Sequence, residues 1–188
     1  VTIRDVRVFG DPVLRTPADP VRDFDARLAA LVADLEQTVA LPGRAGLAAP
    51  QIGVGLRVFA YDVDDRRGHV VNPVVVAVEG QQDGDEGCLS LPGLWCPTRR
   101  PATVTVIGTD VHGHPVTVTG SDLLARCLVH ETDHLDGVLF LDRLDPADRR
   151  VAMRTLRQQP LPVGDRVGGD PLRPRQPSAA QRSRSSTR

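Results

Sequence analysis

His130-Glu131-Thr132-Asp133-His134 places two imidazoles four residues apart, with a carboxylate between them. An α-helix advances about 3.6 residues per turn, so both imidazoles lie on one face and can grip a single metal ion. Glu131 then projects near an open coordination position, where it can accept a proton from water. The same five residues also occur on plain solvated helix faces, so the flanks carry weight. Ser121-Asp122 offer an N-terminal cap, Leu123 to Val129 propagate the helix, and Gly137 stands where a left-handed C-terminal cap belongs.

A hydrolytic metal site usually takes three protein ligands and leaves a position for water. Neither Glu nor His follows His134, so the third ligand is sought upstream. Cys127 lies three residues before His130 and shares its helical face; its plainer role is a small buried residue. Cys88 sits in Glu86-Gly87-Cys88-Leu89-Ser90-Leu91-Pro92-Gly93, where Gly87 permits a close backbone approach and Pro92-Gly93 forces a turn. Its plainer role is a buried thiol in that turn. Cys96 is boxed between Trp95 and Pro97. Residue chemistry leans only slightly to Cys88 and leaves Cys127 open. His69, His112 and His114 fall at turns or strand ends and read as surface residues.

These groups need a scaffold. The 188 residues suit one domain with a real core. Apolar residues at 28, 31, 32, 35 and 39 predict a helix that Pro42-Gly43 ends. Leu56 to Tyr61 reads as a strand, and Val70-Val71 and Val74 to Val78 as two β-runs split by an Asn72-Pro73 turn. Thr103 to Ile107 and Pro115 to Thr119 alternate as an antiparallel hairpin across His112-Gly113. A last helix is expected from about Pro146 to Arg157. One helix, several strands and then a site-bearing helix predict an α+β domain, with antiparallel or mixed sheets around a central metal-binding helix. Residues 1–160 form that domain, and 161–188, rich in Arg, Pro and Ser, read as a disordered tail.

Composition narrows the function classes. A net charge of −1 gives no case for a nucleic-acid-binding protein, although the tail holds six Arg against two Asp. No apolar run approaches the roughly 18–20 residues of a membrane span, and Val-Thr-Ile-Arg-Asp-Val-Arg carries no apolar signal core. Three cysteines give no disulfide framework, so a reducing cytoplasm is expected.

Gly46-Leu47-Ala48-Ala49-Pro50-Gln51, Glu86-Gly87-Cys88-Leu89-Ser90 and His130-Glu131-Thr132-Asp133-His134 resemble, in order, the three motifs of bacterial-type peptide deformylases. The resemblance runs along roughly residues 5–158. It implies that Cys88, His130 and His134 bind the metal, with water in the fourth position. It also implies that Glu131 is general base and then acid, and that Gln51 and the main-chain N–H of Leu89 hold the oxyanion. The implied metal is Fe2+, with Ni2+, Co2+ or Zn2+ as substitutes. The implied activity removes the N-formyl group from the formyl-methionine of newly made polypeptides and releases formate.

Arg44 stands where the resembled motif opens with Gly, and its long side chain is expected in solvent, short of narrowing or charging the cleft mouth. Ala45, Gly46, Leu123 and Cys127 are expected to line the substrate side, with Leu89 and Arg126 near the same wall. Asp133 and Arg126 read either as groups orienting a ligand or as a structural ion pair. Arg149, Arg150, Arg154 and Arg157 would allow transient ribosome contact, but Asp145 and Asp148 favour a plain solvated face. A monomer is expected. The alternatives weighed are an inactive deformylase-like peptide-binding protein and a metallopeptidase that cuts internal bonds.

Overall fold

A computed structural model describes residues 2–158, so the tail predicted over 161–188 lies outside the described residues. The first helix, α1 (Ala26–Val39), begins where Asp25 accepts hydrogen bonds from the N–H groups of Arg27 and Leu28. Its buried stripe, Leu28, Leu31, Val32 and Leu35, is the one the spacing predicts. Strand β1 (Gly46–Ala48) follows, then a single 3-10 turn (Ala49–Ile52), β2 (Val58–Val63) and β3 (Arg66–Glu79). A hairpin of β4 (Asp85–Cys88) and β5 (Leu91–Pro97) precedes β6 (Thr103–Thr109), β7 (Pro115–Ser121) and the helix α2 (Asp122–Leu135). A short 3-10 turn (Phe140–Asp142) leads to α3 (Pro146–Gln158).

The main sheet has the order β1-β2-β3-β6-β7 with antiparallel neighbours, and β4-β5 forms a separate antiparallel pair. The architecture is α+β, with antiparallel sheets and three helices. β2 is buried on both faces: Phe59, Tyr61 and Val63 join the cluster around Leu124 and Leu128 of α2, and Val58 and Ala60 join the α1 cluster. Truncating a side chain such as Leu35, which is fully buried, would cost roughly 2–5 kcal/mol. A third cluster packs Cys88, Leu91 and Leu94 of the hairpin against Phe140, Leu141 and Leu156.

Two local expectations are corrected. Asn72-Pro73 is not a turn between two strands, because β3 runs through it with a register shift between Val71 and Val74. Asn72 adopts φ 51 there, and its side chain exchanges hydrogen bonds with the main chain of Val21. β3 pairs with β2 up to Val71 and with β6 from Val71 onward, so the irregularity falls where the strand changes partner. Ser121 occupies the N-cap position of α2 without a side-chain cap hydrogen bond, and Asp122 enters the helix at φ 51. Gly137 does take the left-handed conformation, at φ 71, just past the helix end.

Candidate metal centre

α2 crosses beneath β1, β2, β6 and β7, so its polar face is enclosed rather than solvated. His130, Glu131, Asp133 and His134 are all buried. β4 brings Cys88 to the same place, and one ligand atom each from Cys88, His130 and His134 lies within 4.8 Å of the others. Cys88 Sγ is 3.2 Å from His134 Nε2. Cys127 does not join them. Its thiol donates to the Ala45 carbonyl at 3.2 Å, and its side chain belongs to the apolar cluster under the sheet. Cys96 packs with the α3 cluster.

The partner of His130 was not foreseen. Its Nδ1 lies 2.7 Å from Glu86 Oε1, and an ionised carboxylate only accepts, so Nδ1 donates and Nε2 is left for an ion. Glu86, with no exposed surface, also accepts from Arg100 Nε (2.9 Å) and Nη2 (2.6 Å) and from Arg126 Nη1 (2.8 Å). Burial opposes ionisation of Glu86, but the hydrogen bonds from Arg100 and His130 outweigh it and hold the carboxyl well below the usual range. Arg100 continues to Asp133 Oδ2 at 2.7 Å, and Arg143 reaches Asp133 Oδ1 at 2.5 Å. Arg126 and Asp133 are therefore an ion-pair network that also buttresses a candidate ligand. Arg126 does not lie free along a pocket wall: its Nη1 also donates to the Thr98 carbonyl at 2.8 Å. Glu86 lies two residues before Cys88, and an acidic residue in that otherwise apolar and small segment was the available signal.

Glu131 differs from Glu86. Its Oε2 is buried with no hydrogen-bond partner among the described residues, and burial pushes its pKa up to about 7. Gly46 makes the room it occupies: a Cβ there would collide with Glu131 Oε1 and stand 2.7 Å from Cys127 Sγ. His134 Nδ1 is likewise buried without a partner among the described residues, and burial lowers the pKa of this ring. Burial also resists protonation of His130, but its hydrogen bonds to Cys88 and Glu86 prevail and raise it. One sulfur and two imidazole nitrogens buried together suit a divalent cation, since metal binding displaces the protons its ligands would otherwise carry. The sulfur and two nitrogens favour a transition metal over Ca2+ or Mg2+.

Gln51 lies on the 3-10 turn after β1, buried. Its Oε1 accepts from the Ala48 N–H at 2.8 Å, and its Nε2 makes long contacts to Ser90 Oγ (3.4 Å) and Cys88 Sγ (3.7 Å). Leu89 and Ala45 are buried, and Leu123 is half-buried against the α2 cluster.

Arg44 corrects an expectation. Only 7% of it is exposed, and its Nη1 donates to the Thr38 carbonyl at 2.9 Å. The last carbonyls of a helix lack intrahelical donors, and this guanidinium supplies one to α1. His112 and His114 are exposed, whereas His69 is half-buried. The Val111 N–H donates to His69 Nε2 at 3.0 Å, so its Nδ1 donates to Glu36 at 2.8 Å.

A family model described as polypeptide deformylase matches residues 3–150. A peptide deformylase of Acidothermus cellulolyticus is 60% identical over 158 residues, covering 84% of this chain and 88% of that protein. One of Parafrankia sp. is 56% identical over 160 residues, covering 84% and 87%. The crystal structure of peptide deformylase from Thermus thermophilus superposes with a TM-score of 0.78 at 39% identity, over 83% of this chain and 94% of that one. A peptide deformylase structure from Legionella pneumophila gives 0.77 at 41%, over 84% and 95%. The likeness holds in sequence and in fold along the whole segment that carries the three motifs, and the chain belongs to the polypeptide deformylase family.

Proposed function

We propose that Cys88, His130 and His134 hold the metal ion with which this deformylase removes the N-formyl group from newly synthesised polypeptides, leaving formate and a free amino terminus. The observation that carries the assignment is the approach of three buried ligand atoms to within 4.8 Å, beside a Glu131 oxygen that has no partner among the described residues. A divalent ion held by these three residues would supply acidification of a water and polarisation of the formyl oxygen. Glu131 accepts the proton of that water and later delivers it to the leaving nitrogen. Gln51 Nε2, held only by long contacts, turns to the formyl oxygen as charge grows on it, together with the main-chain N–H of Leu89. Family membership supports Fe2+ as the resident ion, with Ni2+, Co2+ or Zn2+ able to replace it, and one sulfur with two nitrogens fits any of these transition metals. Ala45, Gly46, Leu123 and Cys127 border the substrate.

We place the protein in the cytoplasm, as a monomeric domain over residues 1–160. No disulfide joins the three cysteines, and no helix among the described residues is long and apolar enough to cross a membrane. The arginines of α3 we read as a solvated face; ribosome binding that weakens with salt and disappears on truncation at Pro160 would overturn that. The deciding test of the site is Glu131→Gln. Formate release from formyl-Met-Ala should fall about 10²–10⁴-fold with the metal still bound, and a variant that keeps wild-type turnover would remove Glu131 from the reaction.

A further inference from the structure

The N-terminal arm touches both halves of the oxyanion site from behind. The Arg7 N–H donates to the Gln51 carbonyl at 2.7 Å, and the Phe9 N–H donates to the Ser90 carbonyl at 2.8 Å. Gln51 bears one oxyanion donor, and Ser90 directly follows Leu89, which bears the other. We propose that residues 7–9 are a positioning strap, whose main chain sets the spacing between the Gln51 amide and the Leu89 N–H. The proposal rests on the reading of those two groups as oxyanion donors.

Two residues of chain span at most roughly 7 Å, an upper limit set by covalent geometry. The arm is itself held at both ends. Val6 packs against the cluster containing Leu47, Ile52 and Leu89, whereas Phe9 packs against the cluster containing Cys88 and Leu91. The strap thus joins two apolar clusters as well as two motifs. Upstream, the Thr2 N–H donates to Asp34 Oδ1 at 2.8 Å and the Arg4 N–H to Thr38 Oγ1 at 3.0 Å, which moors the arm to α1. Downstream, the Arg15 guanidinium stands 6.0 Å from the centre of the Phe9 ring. Gly53, at φ 85, ends the turn that carries Gln51, and a Cβ on it would press within 2.9 Å of Arg7 Nε. Ser90 links the strap to the metal side as well, because its N–H donates to Cys88 Sγ at 3.4 Å. A donor displaced by about an ångström loses much of its worth in the transition state while ground-state binding hardly changes.

Two variants test this in the full-length, metal-loaded enzyme. Arg7→Pro deletes the N–H that meets Gln51, and insertion of one Gly between Val8 and Phe9 keeps both donors but changes the spacing. Each should lower kcat for formyl-Met-Ala on the order of tenfold, with KM within about twofold and metal content unchanged. If Arg7→Pro fails to fold, the insertion carries the test. In a Gln51→Ala background the same changes should add little, because the strap acts through that amide. The proposal is overturned if folded, metal-loaded variants keep wild-type kcat, if kcat falls only in step with metal loss, or if the losses multiply with that of Gln51→Ala. Should Gln51→Ala itself leave kcat intact, the oxyanion reading fails instead, and the two failures are distinguishable.

Discussion

Around Glu86 a buried carboxylate accepts four hydrogen bonds, from Arg100 Nε and Nη2, Arg126 Nη1 and His130 Nδ1. Around Glu131, one helical position beyond His130, a carboxylate equally buried leaves Oε2 with no partner among the described residues. A carboxylate offers about four acceptor sites, and Glu86 fills them all. Saturated buried networks are rigid, so Glu86 fixes the orientation of His130. An unsatisfied buried oxygen costs roughly 1–3 kcal/mol and persists where something else will use it. One carboxylate holds, and the other is the one proposed to move protons. The contrast extends to the histidines, since His130 Nδ1 is pinned and His134 Nδ1 is buried without a partner among the described residues.

The largest expected effect removes what both carboxylates serve. Chelation of the metal should abolish formate release, and added Fe2+ or Co2+ should restore it in the wild type but not in Cys88→Ser. Recovery in that variant would take the thiolate out of the ligand set. Next comes Gly46→Ala, whose new Cβ meets Glu131 Oε1 and Cys127 Sγ. A drop of about 10²-fold in kcat is expected, with metal retained; unaltered turnover would show that Glu131 needs no such cradle. Glu86→Gln attacks the saturated side, turning one accepting oxygen into a donor that faces arginine. Chelator competition should then report metal affinity weakened roughly 10–100-fold, whereas unchanged affinity would reduce Glu86 to a folding role. The smallest effect belongs to Arg126→Met, because Arg100 keeps its two-pronged grip on Glu86. It leaves the Thr98 carbonyl short of a donor, at a cost of about 1–3 kcal/mol, so the melting temperature should fall by several degrees while metal affinity stays within a few-fold. A loss of affinity as large as that of Glu86→Gln would show that Arg126, too, sets the ligand geometry.

The legible parts of the protein were the local ones. α1 and α2 followed from apolar spacing, and His130, Glu131 and His134 from their shared helical face. Cys88 was less so: residue chemistry barely separated it from Cys127, and the family resemblance singled it out. Glu86 carried no assigned role and Arg100 none at all, because they pair with each other across 14 residues and with His130 and Asp133 of α2 across 44 and 33, with no periodicity to betray them. Arg44 was expected in solvent because charged side chains usually are. Its burial follows from the open carbonyls at the end of α1, six residues back. Asn72-Pro73 looked like a turn because those residues favour turns, yet pairing with β2 on one side and β6 on the other carried the strand through it.

By itself the amino-acid order determined the helix that presents two imidazoles and a glutamate on one face, since helical period is set by backbone geometry within a few residues. It also determined β2, β6 and β7 of the strands that bury α2, through alternation that reads at a period of two, but not β1, a short run of small residues. Only the tertiary structure decided which carboxylate is saturated while the other is left open, and how Cys88, singled out by the family resemblance, is carried to those imidazoles. Those outcomes depend on how the β4–β5 hairpin, the N-terminal arm and α2 pack together, and contacts between segments dozens of residues apart leave no local pattern in the chain.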